Sequence, residues 1–234
     1  MDKRRNTPLL APLVRATGLI VSLLLLAGCS TGQMVVRGTQ TILDSGVVAM
    51  NSETDLELAR TAMPANLKLI EGMLLEDPGN IELLLFAAQG FYGYSYGFIE
   101  TEDTDRAGAL YRRCFEYARQ TLPLRGFDFD PEISSPDDIR AALASADKKD
   151  VPAIFWTASC QGKWIDMNRD KVAGFAGLGN VEVMMQRVLE LDDSYYHGAT
   201  HLFFGVFYGG RAPMLGGDFA RAEQHFERAA EIND

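Results

Sequence analysis

The sequence predicts an all-α protein, a solenoid of stacked antiparallel helix pairs, and three observations support this fold class. Segments of 42 to 44 residues follow one another over 34–76, 77–120, 150–192 and 193–234. Three of them repeat small and large apolar residues at i, i+4 and i+7, the spacing of one helix face. Polar residues close the helical patterns, and helix-pair units of about this length are typical of solenoids.

The repeated apolar positions and the polar closing residues occur in the same order in each segment. The apolar positions are Ala107, Tyr111 and Cys114; Val181, Met185 and Val188; and Ala222, Phe226 and Ala229. The closing residues are 75–80, 189–193 and 230–234. Pro78 strengthens the first of these stops because proline does not continue a helix.

Composition narrows the functional class. The 234 residues are 47% hydrophobic and 23% charged, which fits one globular domain and excludes collagen-like, low-complexity and multi-pass membrane proteins. The formal charge of -10 argues against nucleic-acid binding, which requires a surplus of Lys and Arg. Three cysteines are too few for a disulfide scaffold.

The first 28 residues differ from the rest. They carry a charge of +3, which leaves -13 for the remaining residues, and every aromatic residue lies in that acidic part. A basic start, Lys3-Arg4-Arg5, precedes an apolar stretch over 16–28. A basic segment followed by an apolar segment is typical of an export signal. The apolar segment is shorter than the length that a membrane-spanning helix usually needs. We expect residues 1–28 to be removed.

The end of this leader, Leu26-Ala27-Gly28-Cys29, resembles the lipobox of bacterial lipoproteins. The resemblance implies that Cys29 becomes the acylated first residue, anchored in a membrane leaflet by its acyl chains. Ser30 stands where many bacteria use Asp for inner-membrane retention, which favours the periplasmic face of the outer membrane. Residues 29–33 are then a lipidated linker and 34–234 the helical domain. An ordinary cleaved signal with a bystander cysteine is the alternative.

Two stretches of the repeat segments resemble the helices of a known repeat. Residues 217–234 resemble the second helix of a tetratricopeptide repeat, with Asp218 near the N-terminus to accept unpaired amide groups, and residues 81–91 resemble a first helix. Residues 121–149 interrupt the repeat. They read as a loop followed by a short helix over 137–146, an insertion and not a domain.

The two remaining cysteines, Cys114 and Cys160, lie in apolar helical patterns. The interpretation we favour is a pair of buried thiols. Thiols are favoured because the sequence does not supply the Cα separation that a disulfide requires. A disulfide is the alternative, because an oxidising compartment permits one.

Motifs for catalysis or metal binding are weak. His197 and His201 have a zinc-chelating spacing, but Gly198 stands where a zinc protease has its catalytic Glu, so polar groups on a packed helix are favoured over a zinc hydrolase. Asp128, Asp130 and Glu132 lack the glycine of a calcium loop and are expected to form an acidic solvated turn. The glycines at 209–210 and 216–217 lack the Lys-Ser/Thr pair of a phosphate loop.

Aromatic residues are the strongest remaining signal. They concentrate in the first helices of the segments, which line the concave surface in tetratricopeptide-like stacks, and some are predicted to form an apolar groove with polar tips. Core packing is the alternative for most of them, and Tyr94 and Tyr96 also fit an extended segment. The predicted ligand-binding residues are Phe91, Tyr92, Tyr94, Tyr96, Trp156, Trp164, Phe203 and Phe207.

Five stretches together resemble the T component (TatT) of TRAP transporters, in the correct order over nearly all of the mature chain. They are 88–94, 109–118, 155–164, 196–201 and 216–229. Members of that family continue with further helices, whereas this sequence stops at Asp234. We therefore expect either a fragment or a last repeat without a cap.

The resemblance implies a non-catalytic transport accessory without cofactor or metal. It implies docking of the periplasmic solute-binding (P) subunit of a TRAP transporter and transfer of a hydrophobic small ligand. The lipobox implies contact with the membrane through the lipid anchor, and the sequence leaves open whether a homo-oligomer forms. A surplus of acidic residues suits the steering of a partner. The alternative hypothesis is a generic repeat scaffold lipoprotein for envelope assembly.

Overall fold

The computed structural model describes residues 31–168 and 177–234, and every element in these residues is helical. Residues 1–30, with the expected signal peptide and Cys29, lie outside the described residues. The chain divides into two compact units, residues 1–46 and 47–234. None of the helices in the described ranges has the length and apolar content that a membrane span needs.

Two short helices begin the described chain, α1 (Thr31–Gly38) and α2 (Gln40–Asn51). The expected linker over 29–33 is therefore helical from Thr31 onward. The repeat segment predicted over 34–76 is not a simple helix pair, since the border between the two compact units falls inside α2. None of the side chains of α2 is fully buried, and Leu43, Val47 and Met50 on one face are half-buried.

The larger unit continues with α3 (Leu56–Glu76) and α4 (Ile81–Tyr94), which pack against each other. The predicted stop between them is confirmed. The Asp55 carboxylate caps α3 by accepting from the amides of Glu57 and Leu58, and the Asn80 side chain caps α4 through the Leu83 amide at 3.2 Å.

Helix α4 runs without a break into a π-helical turn over Ser95–Ile99, and α5 (Thr104–Arg119) follows. The Ser95 hydroxyl donates to the Phe91 carbonyl at 2.7 Å within this turn. The extended alternative for Tyr94 and Tyr96 is thus wrong. A π-helical turn changes the angular register of a helix and is frequent at functional sites.

The insertion over 121–149 is a small helical segment on the side of the larger unit. It contains α6 (Thr121–Leu124), α7 (Pro136–Ala142) and two 3₁₀ turns, Leu143–Ser145 and Lys148–Asp150. The amides of Gln161 and Asn180 each donate to the Pro131 carbonyl at 2.9 Å. These buried hydrogen bonds attach the insertion to the two helices that follow it. Ile139 and Leu143 of the insertion are also completely buried.

The second half of the larger unit contains α8 (Val151–Asp166), α9 (Leu178–Leu191), α10 (Tyr195–Gly209), a 3₁₀ turn (Pro213–Leu215) and α11 (Phe219–Asn233). Helix α8 packs on α5 and on α9, and α10 packs on α11. The all-α solenoid of antiparallel helix pairs is thereby confirmed. Of the repeated apolar positions, only Phe226 is exposed, at 44%.

Cys114 of α5 and Cys160 of α8 form a disulfide with a Cα–Cα distance of 5.5 Å. The expectation of two buried thiols was wrong. Both cysteines face the interface where α5 packs directly on α8, and both side chains are fully buried. The sequence shows that each cysteine is on a buried helix face, but only the packing of the two helices places them opposite each other.

Candidate functional site

Seven aromatic side chains meet where the end of α4 with its π-helical turn, the middle of α5, the start of α8 and the start of α10 come together. We call this set the aromatic cluster. Its members are Tyr92, Tyr96, Tyr111, Phe155, Trp156, Tyr195 and Tyr196.

Trp156 lies at the centre of the aromatic cluster and is only 4% exposed. Its ring centroid is 5.6 Å from that of Tyr92, 5.1 Å from that of Phe155 and 5.1 Å from that of Tyr196, each in an edge-to-face arrangement. This geometry is favourable for aromatic quadrupoles. Trp156 therefore joins rings from three helices.

Two rings of the aromatic cluster reach solvent. Tyr96, stacked on Tyr92 at 6.1 Å, is 63% exposed, and Tyr196 is 42% exposed. The cluster thus presents an aromatic surface with hydroxyl groups, and a buried tryptophan supports it. Such a surface suits an apolar ligand or an apolar anchor residue of a protein partner.

The backbone at Tyr196 has an unfavourable conformation. Tyr196, His197 and Gly198 have φ values of 49°, 59° and 70°, in the left-handed region that bulky residues rarely occupy. The Asn233 amide donates to the His197 carbonyl at 3.0 Å, and the Gln89 amide donates to the Tyr196 hydroxyl at 3.2 Å. Contacts from α11 and α4 thus maintain a conformation that places the Tyr196 ring against Trp156.

An ion pair borders the aromatic cluster. The Lys163 ammonium lies 2.6 Å from the Glu100 carboxylate, which also accepts a 2.5 Å hydrogen bond from the Tyr111 hydroxyl. The same ammonium lies 5.5 Å from the ring centroid of Tyr96 and 5.4 Å from that of Tyr111. Burial, and then the Glu100 carboxylate, raise the pKa of Tyr111, so its hydroxyl stays protonated at neutral pH.

The structure brings together three of the eight predicted ligand-binding residues, Tyr92, Tyr96 and Trp156. The others lie elsewhere. Phe91 is buried against Tyr117, Tyr94 contacts Phe98 and Arg106, Trp164 lies under Arg112, and Phe203 and Phe207 pack with Phe204 on α10.

Four residues of the aromatic cluster are absent from the ligand-binding residues predicted from the sequence: Tyr111, Phe155, Tyr195 and Tyr196. The repeat pattern predicts Tyr111 on a buried helix face, and only the tertiary structure places its hydroxyl against Glu100. The sequence contains one signal for the position of Tyr196. The Tyr195-Tyr196 pair directly precedes His197 and Gly198, and His and Gly tolerate a left-handed backbone better than most residues.

The residues considered for metal binding have other contacts. In residues 31–168 and 177–234, no three His, Cys, Asp or Glu side chains come together as a metal site. The Glu132 carboxylate accepts from Arg112 at 3.0 Å and from Arg119 at 3.2 Å, and the Asp130 carboxylate accepts from the Glu132 amide. The acidic turn is thus partly neutralised by arginines of α5.

His201 pairs with His225 of α11 instead of with His197. Their Nδ1 atoms are 2.9 Å apart, so one ring donates and the other accepts. Burial lowers the pKa of His201, which Asp193 partly opposes, and burial followed by His201 and Arg221 lowers the pKa of His225. The folded protein therefore favours the neutral rings.

The ordinary pKa of histidine is 6.5. We expect the free energy of unfolding to decrease as the pH falls below this value, and to stop decreasing once the pH is below the lowered pKa values of the two histidines in the folded state. The unfolded chain binds protons there that the folded chain does not, at up to about 1.4 kcal/mol per pH unit for each histidine. Urea unfolding across this range measures the slope. The variant His201→Gln/His225→Gln should show a flatter slope, and an unchanged slope would contradict the assignment.

The fold defines an α-helical repeat protein, and the aromatic cluster is its candidate site. The chain belongs to the TAtT family, TRAP transporter T-component, whose family profile matches residues 52–234. The family is that of an accessory component of TRAP transporters, which is not an enzyme class.

One curated relative is similar to this chain at low identity. An uncharacterized protein of Treponema pallidum (strain Nichols) is 26% identical to this chain over 201 residues. The similar region covers 75% of this chain and 59% of that relative. The chain thus corresponds to about three-fifths of the length of the curated relative.

Proposed function

We propose that the protein is a periplasm-facing lipoprotein of a TRAP-type transport system, which docks the solute-binding subunit and passes a hydrophobic ligand to it. The observation that carries the proposal is the family match over 52–234, which includes every helix from α3 to α11. A helical solenoid suits this role because it offers a stable, extended contact surface without the need for catalytic groups.

The aromatic cluster supports the ligand and docking parts of the proposal. Interface hot spots are enriched in Tyr and Trp, and they are surrounded by contacts that exclude water. Exposed Tyr196 contacts buried Trp156, and exposed Tyr96 stacks on Tyr92, so the rings are already ordered before a partner arrives. Preordered contacts reduce the entropy cost of binding.

Location in the envelope is supported by two features. The Cys114–Cys160 disulfide is typical of an oxidising compartment, and the leader ends in the lipobox-like Leu26-Ala27-Gly28-Cys29. We propose that Cys29 carries the acyl chains. Intact-mass spectrometry of the membrane fraction tests this, since Cys29→Ser should lack the added lipid mass and leave the membrane; acylation retained in Cys29→Ser would refute it.

The docking proposal is tested with the full chain purified in detergent and the solute-binding subunit of the same TRAP system. We expect a complex at micromolar concentrations. The double variant Tyr96→Ala/Tyr196→Ala should weaken it about thirtyfold, as expected when a hot spot of about 2 kcal/mol is removed. Phe219→Ala is the matched control, an exposed aromatic residue on α11 outside the aromatic cluster.

Each outcome of this experiment has a distinct meaning. Absence of any complex at tens of micromolar would refute docking, and capture of envelope assembly factors instead would favour the scaffold alternative. A complex that the tyrosine variant leaves intact would place the docking surface outside the aromatic cluster. Mass spectrometry of the purified protein identifies a bound apolar molecule, and its loss in the tyrosine variant is expected if the aromatic cluster holds it.

A further inference from the structure

Four large apolar side chains of α1 and α2 are exposed to solvent. They are Met34, Val35, Ile42 and Val48, and the exposed fraction of each is at least 66%. Single exposed apolar side chains are ordinary on a protein surface. Four of them over residues 34–48 are a candidate contact surface.

The exposed apolar side chains follow one side of the helical segment. Helical hydrogen bonds continue on both sides of Thr39, whose amide donates to the Val35 carbonyl at 3.1 Å and whose carbonyl accepts from the Leu43 amide at 3.2 Å. Val35, Ile42 and Ala49 are all exposed and are seven residues apart, which is two turns of helix. The exposed side therefore runs along both helices.

The exposed face of α2 carries no charged side chain. Ser45 and Gly46 complete the i, i+3, i+4, i+7 pattern that begins at Ile42 and ends at Ala49, and both are exposed. The Ser45 hydroxyl donates to the Thr41 carbonyl at 3.0 Å within the helix. A hydroxyl whose hydrogen bond is already made costs less to remove from water. This face can therefore leave water at little cost.

The whole segment is almost uncharged. Residues 31–51 contain one arginine and one aspartate, so their net charge is zero, whereas residues 29–234 carry -13. An anionic lipid surface attracts basic segments and repels acidic ones, but it does not repel an uncharged segment. Helices α1 and α2 can therefore approach such a surface more readily than the acidic remainder of the protein.

The position of α1 in the chain places it next to the proposed lipid anchor, and this step rests on the acylation of Cys29 in the proposed function. Only Ser30 lies between Cys29 and Thr31, where α1 begins. Each residue spans at most about 3.6 Å, so α1 begins within roughly 10 Å of the acylated residue. A tether of this kind gives an effective concentration in the millimolar range, so a weak contact with lipid is sufficient.

We propose that α1 and α2 lie along the membrane surface, with Val35, Ile42 and Ala49 directed into the lipid headgroup region. The two helices have 8 and 12 residues, whereas crossing a bilayer takes about 20. A helix with one apolar face lies in the plane of the interface and inserts that face by about 5–10 Å. The exposed apolar residues thus form a second attachment beside the acyl chains, and lipid covers them.

The test uses the full acylated chain, purified from membranes and reconstituted in vesicles of phosphatidylethanolamine and phosphatidylglycerol. The variants Val35→Cys and Ile42→Cys each carry an environment-sensitive fluorophore. Cys29 is acylated and Cys114 is bonded to Cys160, so the introduced thiol is the one that reacts. We expect lipids with a headgroup nitroxide to quench both fluorophores at least about threefold more strongly than fluorophores at control positions, since the inserted face lies at that depth.

Val206→Cys and Ile133→Cys are the matched controls, a valine and an isoleucine outside α1 and α2 that are also exposed. Absence of quenching at Val35 or Ile42, or equal quenching at the controls, overturns the inference. Intact mass that shows the acyl chains would then leave the lipoprotein proposal in place, whereas a protein without acyl chains refutes both. Blue-shifted emission that persists in detergent and that nitroxide lipids do not quench would show that protein covers the face, which also overturns the inference. Circular dichroism of each labelled variant confirms that it is folded.

Discussion

Replacing Cys114 and Cys160 together by alanine is expected to lower the free energy of unfolding by about 4 kcal/mol. The disulfide joins residues 46 positions apart, and closing a loop of that length removes much of the conformational entropy of the unfolded chain. Both side chains are fully buried between α5 and α8, so no solvent contact replaces the bond. Urea unfolding of the wild type and the double variant measures the difference.

Reduction of the wild-type protein is the control for the disulfide. The reduced protein should lose nearly the same stability as the double variant, because both lack the cross-link and differ by little in side-chain volume. A difference below about 1 kcal/mol between the oxidised and reduced proteins would show that the cross-link contributes little.

Replacing Trp156 by alanine is expected to lower the free energy of unfolding by about 3–5 kcal/mol, the range for truncation of a large buried aromatic side chain. Trp156 is nearly completely buried and touches rings from α4, α8 and α10. The variant leaves a cavity beneath Tyr196, whose left-handed backbone then has less support. The affinity of the aromatic cluster for a partner or ligand should also decrease in this variant.

Trp164 on the same helix is the matched control for Trp156. It is only partly buried and contacts the Arg112 guanidinium at 5.1 Å, so Trp164→Ala should cost about 1 kcal/mol. Trp156→Phe keeps a ring in place and should cost less than Trp156→Ala. Equal losses for Trp156→Ala and Trp164→Ala in urea unfolding would show that Trp156 is not the centre of the packing.

Repeat spacing and helix stops could be predicted because they depend on neighbours in the sequence. The apolar faces of Ala107, Tyr111 and Cys114 and of Val181, Met185 and Val188 are buried as predicted, since the 3.6-residue period places them on one side of a helix. The cap at Asp218 was predicted for the same reason, because it involves residues three positions apart.

The candidate site was only partly predictable. Tyr92, Tyr96 and Trp156 were selected because aromatic residues accumulate in first helices, but the same rule selected Phe91 and Trp164, which face other surroundings. The side that each ring faces depends on the π-helical turn after α4 and on the packing of α8. Tyr196 depends on a left-handed backbone that contacts from two distant helices hold in place.

By itself the sequence determined the all-α fold class, the stacked helix pairs and, through residues distributed along the chain, the TAtT family. Each of these follows from local periodicity or from a pattern of residue identities. The tertiary structure alone decided that Cys114 bonds to Cys160, that His201 pairs with His225, and that rings from α4, α8 and α10 form one cluster. Those contacts join residues far apart in the chain, and their distances follow from how the helices pack.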